Sequence, residues 1–182
     1  MIICLDNHVL LWGIKEDCTE GQEEMIPRTK TFIDSIGNDA SVIVPAIVVG
    51  EFLMRIPKEL HAMVINLFNK NFIIAPYDAL CASKYATIWK ANKPPEEAEQ
   101  LIKLGATRAE LKADSMIVAT AVARKADCIY STDKWIKTFA QGFVDVKGIP
   151  FIEKQSTVFP PNLQDNWGKL PANADKPSTL KS

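Results

Sequence analysis

The chain has 182 residues, 47% of them hydrophobic and 24% charged, with a formal net charge of −1 at pH 7. Those values predict one globular domain with material for a real core. They exclude a global basic field for non-specific nucleic-acid capture, though not a local basic rim.

Ile2 to Leu5 is a short continuous apolar run, the pattern of a parallel strand buried on both faces. Asn7 to Ile14 is predicted to form a short helix, with Val9, Leu10 and Trp12 as its apolar mass. Glu23 to Ile36 forms the next helix, ended by Gly37-Asn38. Ser41 to Val44 is a second strand. Pro45 cannot continue a central ladder but suits a helix start, so Ala46 to Ile56 is assigned to a helix. Pro57 lies beyond its end and opens another helix, Lys58 to Asn69. Phe72 to Ala75 is a third strand, Asp78 to Asn92 a helix, and Pro94-Pro95 starts a further helix ending near Gly105.

Thr107-Arg-Ala-Glu110 is a capping-box pattern ahead of Leu111, Ile117, Val118, Ala121 and Val122 at helical spacing. Ala126 to Thr132 is a fourth strand and Lys134 to Ala140 a short helix. Val144 to Ile152 supplies a last edge strand, its pairing limited by Pro150. Strands alternating with helices imply an α/β fold with a parallel sheet wrapped in helices. From Glu153 the composition turns to Pro, Asn, Asp, Lys and Ser. Residues 1–152 are therefore expected to form the domain. Residues 153–182 are expected to form a polar tail, disordered or docked peripherally through Val158, Phe159 and Trp167.

The four cysteines, Cys4, Cys18, Cys81 and Cys128, include no C-x-x-C pair, which argues against zinc. Cys4 and Cys128 lie in strand-like runs and are expected to be small buried hydrophobes, as in a reducing compartment. No basic leader opens the chain and no apolar stretch is long enough to span a bilayer, so a cytoplasmic location is expected.

Four acids sit against these apolar runs: Asp6, Glu51, Asp114 and Asp133. Carboxylates rarely lie against a core without a partner. If these four converged without a counter-charge they would repel, and some would protonate. Ligands lie beyond the carboxyl ends of the strands in open α/β sheets, and Asp6 and Asp133 each follow a predicted strand. Oxygen donors without neighbouring His or Cys select Mg²⁺ or Mn²⁺, which suits phosphodiester hydrolysis.

The pieces Ile-Ile-Cys-Leu-Asp6-Asn7, Val-Val-Gly-Glu51-Phe-Leu, Asp114-Ser-Met-Ile-Val-Ala-Thr-Ala and Ile129-Tyr-Ser131-Thr132-Asp133 together resemble a PIN domain, and within that group the VapC-type toxin ribonucleases. The resemblance covers roughly residues 1 to 152. It implies a Rossmann-like α/β/α sandwich, Mg²⁺- or Mn²⁺-dependent endoribonuclease activity on RNA, often a homodimer, and in toxin members a cognate antitoxin. It assigns Asp6, Glu51, Asp114 and Asp133 to the acidic quartet that binds metal and catalyses. It makes Thr132 the hydroxyl that bonds a metal water or orients Asp133. The extra helix at Pro94 to Gly105 and the polar tail depart from compact toxins.

Each acid also has a local reading. Asp6 and Asp133 can cap the helices that follow them, and Asp114 can favour a helix N-terminus. Each such reading explains one acid and none explains the ordered set. Asn7 is divided between a cap and a contact behind the metal ligands. Arg108, Lys112, Lys134 and Lys137 could hold RNA phosphates, or form solvated helix faces. His8 and His61 are expected to be structural or surface residues, and Trp12, Trp89 and Trp135 core residues. Two other functions stay open. A haloacid-dehalogenase-like phosphohydrolase also starts with an Asp after its first strand, but needs a second Asp where His8 stands. A non-catalytic RNA- or protein-binding domain would have no use for the repelling charges.

Overall fold

The computed structural model describes residues 1–37, 39–92 and 108–152. The helix expected at Pro94 to Gly105 and the tail from Glu153 lie outside the described residues. Among the described residues, five strands form one parallel sheet: β1 (Ile2–Leu5), β2 (Ser41–Pro45), β3 (Ile73–Ala75), β4 (Cys128–Tyr130) and β5 (Asp145–Lys147). Their spatial order is β3-β2-β1-β4-β5. The three inner strands are apolar throughout their buried stretches because helices cover both faces, and Cys4, Leu5, Val44, Cys128 and Ile129 are fully buried. Each such aliphatic side chain contributes roughly 1.5–3 kcal/mol by leaving water. Cys4 and Cys128 are small buried hydrophobes, as expected, and burial pushes the Cys4 thiol far above the usual range. The outer strand β5 exposes Asp145 and Lys147, charges that discourage edge pairing.

The helices are α1 (Asn7–Leu10), α2 (Met25–Ser35), α3 (Ala46–Leu53), α4 (His61–Asn71), α5 (Ala79–Ala91), α6 (Arg108–Ala123) and α7 (Lys134–Ala140). From β1 the chain steps outward through β2 to β3, then returns to β4 and steps the other way to β5. Right-handed crossovers put the helices of these two directions on opposite faces. Consistently, α5, α6 and α7 pack on one another. The result is a three-layer α/β/α sandwich.

Several boundaries differ from the sequence expectation. The first helix is α-helical only to Leu10; Leu11–Lys15 is π-wound and ends at left-handed Glu16. Gly13 in that turn lets α2 approach closely, since a Cβ there would meet Thr29 Cγ2 at 3.0 Å and Ile33 Cδ1 closer still. Pro45 is the last residue of β2, in register with Ala75, and also the N-cap of α3. The predicted fourth strand shortens to Cys128–Tyr130 because Lys125 turns left-handed before it and Asp127 instead accepts from the Ile2 N–H at 2.6 Å. Helix α3 stops at Leu53, and the His61 ring nitrogen closes its end against the Leu53 and Ile56 carbonyls at 3.1 and 3.0 Å. Among the described residues no helix is long and apolar enough to cross a membrane.

Candidate active site

Strand order fixes where a crevice must open. The chain leaves β1 toward β2, whereas β4 lies on the other side of β1 and leads to β5. The switch point therefore lies between the carboxyl ends of β1 and β4. Register then brings two side chains together. Leu5 pairs with Tyr130, and the Asp6 N–H continues the ladder to the Tyr130 carbonyl at 3.2 Å. The next residues, Asp6 and Ser131, are consequently neighbours, and Ser131 Oγ donates to Asp6 Oδ2 at 2.7 Å. Both side chains are buried.

The other Asp6 oxygen accepts from the Asn7 N–H at 2.7 Å and caps α1. Asp133 caps α7 through Oδ1, which accepts from Trp135 N–H at 2.6 Å and Ile136 N–H at 3.4 Å. Its own N–H donates to Ser131 Oγ at 3.0 Å. Capping and membership of the cluster thus coexist: the caps hold both carboxylates at the helix starts that face the switch point. Ser131 performs the orienting work expected of Thr132, whose side chain is exposed.

Glu51 and Asp114 come from helices. Val48, Val49 and Phe52 are buried on α3, and Glu51 lies at the margin of that stripe. On α6, Asp114 shares a face with buried Leu111 and Val118. It lies in the second turn of α6, past the reach of the helix dipole that would favour it at the terminus. Helix α3 packs on both α1 and α6, which carries the two acids toward the strand ends.

The electrostatics record the convergence. Burial raises Glu51 to about 7, helped by the charges of Asp6 and Asp133 and opposed by His8. Burial raises Asp114 to about 8, helped by Asp133, Asp6, Glu51 and Glu110. All four sequence-predicted acids therefore share one field. Among the described residues no Lys or Arg pairs with any of them.

His8 departs from expectation. Its Nδ1 lies 3.6 Å from Asp6 Oδ2, and the contact with Asp6 raises its affinity for a proton against the opposing effect of burial. It is part of the site. Its sequence signal was its place two residues after Asp6, at the start of a helix. Trp12 is core, as expected. Lys112 and Lys134 are exposed, and Lys134 Nζ sits 4.4 Å above the Trp135 ring. The side chain of Arg108 lies outside the described residues.

Among the described residues, no three His, Cys, Asp or Glu side chains stand close enough to clasp an ion by themselves. The donor set nonetheless fits Mg²⁺ or Mn²⁺. It is all oxygen, no Lys or Arg pairs with it among the described residues, and Mg²⁺ keeps several waters while taking only one or two carboxylates. Asn7 Oδ1, beside Asp6, is buried without a protein partner among the described residues and is suited to accept from such a water.

A chain in the crystal structure of VapBC2 from Rickettsia felis bound to a DNA fragment from their promoter is similar to this protein. The TM-score is 0.50 and the sequence identity 16%, over 81% of this chain and 98% of that one. The likeness is one of fold alone and agrees with the α/β architecture built on a central parallel sheet. No protein-family model matches the sequence, and no curated protein matches it.

Proposed function

We propose that this chain is a Mg²⁺- or Mn²⁺-dependent endoribonuclease, acting as the toxin of a toxin–antitoxin pair. The observation that carries the reading is the shared field of Asp6, Glu51, Asp114 and Asp133 beside the sheet's switch point, where burial, reinforced by the neighbouring carboxylates, raises Glu51 and Asp114 toward neutrality. Such a cluster is costly unless a cation neutralises it. One or two of Asp6, Glu51, Asp114 and Asp133 would hold the ion directly and the others through its waters, and the bound ion would polarise a phosphate oxygen and offset the negative charge that builds on the phosphate.

The protein's own part is positioning. Ser131 and the α1 cap fix both oxygens of Asp6, and the α7 cap fixes Asp133. Near neutral pH, Glu51 and Asp114 are partly protonated without metal and give up those protons when a cation arrives. Thr132, exposed beside Asp133, is available to a bound water. Lys112 and Lys134, both exposed, and Arg108 supply cations for RNA phosphates. The likeness to a chain of the VapBC2 assembly supports a cognate antitoxin as a proposed partner.

Total cellular RNA incubated with the purified protein and Mg²⁺, Mn²⁺ or chelator tests the reading. Cleavage is expected only with metal, and Asp6→Asn is expected to lower it by at least about 10³-fold, since polarisation by the ion is worth several kcal/mol. Cleavage that survives chelation, or that Asp6→Asn leaves unchanged, would remove the assignment.

A further inference from the structure

His8 has a defined place at the crevice that metal binding does not explain. One edge of its ring, through Nδ1, meets Asp6. One face lies on the buried Trp12 indole, with ring centroids 5.3 Å apart and planes 22° from parallel. Yet 46% of the side chain is exposed. With an edge and a face covered, that exposure belongs to the opposite face and the far edge. The ring lies within reach of the charges of Asp6, Asp133 and Arg55. Because one edge rests on Asp6 at the end of β1, the exposed part of the ring borders the crevice.

The geometry points to His8, backed by Trp12, as a stacking platform for one unpaired nucleobase next to the scissile phosphate. This deepens the ribonuclease reading and rests on it. An aromatic face serves any base, because every base has a π-face, but only a base that has left its duplex stack can lie on it. Two contacts hold the imidazole in place, so little side-chain freedom is lost when a base settles there. Arg55, 56% exposed and 3.8 Å from Asp17, lies close enough for its charge to reach His8. The acids then select phosphodiesters and His8 selects single-stranded over paired RNA.

The test uses full-length protein carrying Asp114→Asn, so that RNA is bound and not cut, and single-stranded oligoribonucleotides containing 2-aminopurine. Stacking quenches this base. With His8 present, quenching on binding is expected. His8→Phe is expected to keep both quenching and affinity, whereas His8→Ala loses the quenching and binds about 5- to 100-fold more weakly, the range for one stacked base. The same single change on the active protein should raise KM more than it lowers kcat. Quenching and affinity unchanged in His8→Ala, or His8→Phe behaving like His8→Ala, would overturn the platform. In that case metal-dependent cleavage by the unaltered chain would leave the nuclease reading intact. No cleavage by the unaltered chain would remove that reading separately.

Discussion

Replacing Asp114 by Asn is expected to abolish metal-dependent cleavage and yet raise the melting temperature of the metal-free protein at pH 8. Most substitutions at a half-buried residue destabilise. Here the native carboxylate is penalised by burial and by the charges of Asp133, Asp6 and Glu51, which hold Asp114 up to about 8 from 3.8. The native state therefore binds this proton more tightly than the unfolded chain does. The penalty is absent below the unfolded value, grows as pH rises, and is complete above about 8, so stability falls with rising pH across that window. Glu51, raised to about 7, adds a contribution of the same sign. Asn carries no charge at any pH and removes the penalty where it is largest. Each tenfold change in proton affinity is worth about 1.4 kcal/mol, and partial exposure and relaxation bring the expected gain to about 1–3 kcal/mol. For a chain of this size that is roughly 2–10 °C. Calorimetric scans of both proteins in chelator at pH 8 and pH 4.5 check it: a clear rise is expected at the first pH and little difference at the second. A lower melting temperature for Asp114→Asn at pH 8 would mean that the acids do not burden the fold.

Ser131→Ala should have a large effect of the opposite kind. The hydroxyl is fully buried, donates to Asp6 Oδ2 and accepts from the Asp133 N–H. Removing it strands a buried carboxylate oxygen and a partly buried amide. Leaving such groups unpaired costs about 1–3 kcal/mol each, so a loss of about 2–4 kcal/mol is expected. Asp6 and Asp133 also lose their common anchor. Partners that orient metal ligands are typically worth about 10- to 100-fold, and kcat/KM is expected to fall by that much. Thr132→Ala, at an exposed position, should cost much less stability. Urea unfolding and single-turnover cleavage of the two variants distinguish the neighbouring hydroxyls. Equal effects would show that the Ser131 bridge is not what holds the two carboxylates.

The ordering of strands and helices is legible because each inner strand is an unbroken apolar run punctuated by Pro, Gly or Asp. The run Ile2–Leu5 and the helix Lys134–Ala140 match their expected bounds. The four acids are legible for a related reason: each is a charge set against apolar neighbours. Their shared field is not legible from any one segment, because it depends on β4 lying beside β1, and strand order leaves no local trace. The role of Ser131 is hidden for the same reason. Ser131 and Thr132 are chemically alike, and only the pairing of Leu5 with Tyr130 decides which hydroxyl faces Asp6. His8 is overlooked because a lone histidine carries no spacing pattern; its meaning comes from Trp12 one helical turn on and from Asp6 beneath it. The π-wound turn after Leu10, against which α2 packs closely at Gly13, likewise has no local sequence signal.

Titrating the metal-free protein with Mn²⁺ at pH 7 in a calorimeter, in two buffers of different ionisation enthalpy, tests the central claim most directly. A saturable site is expected, its binding coupled to proton release from Glu51 and Asp114, and weakened severely by Asp6→Asn. Binding that does not saturate, or that Asp6→Asn leaves untouched, would show that these carboxylates do not form a cation site.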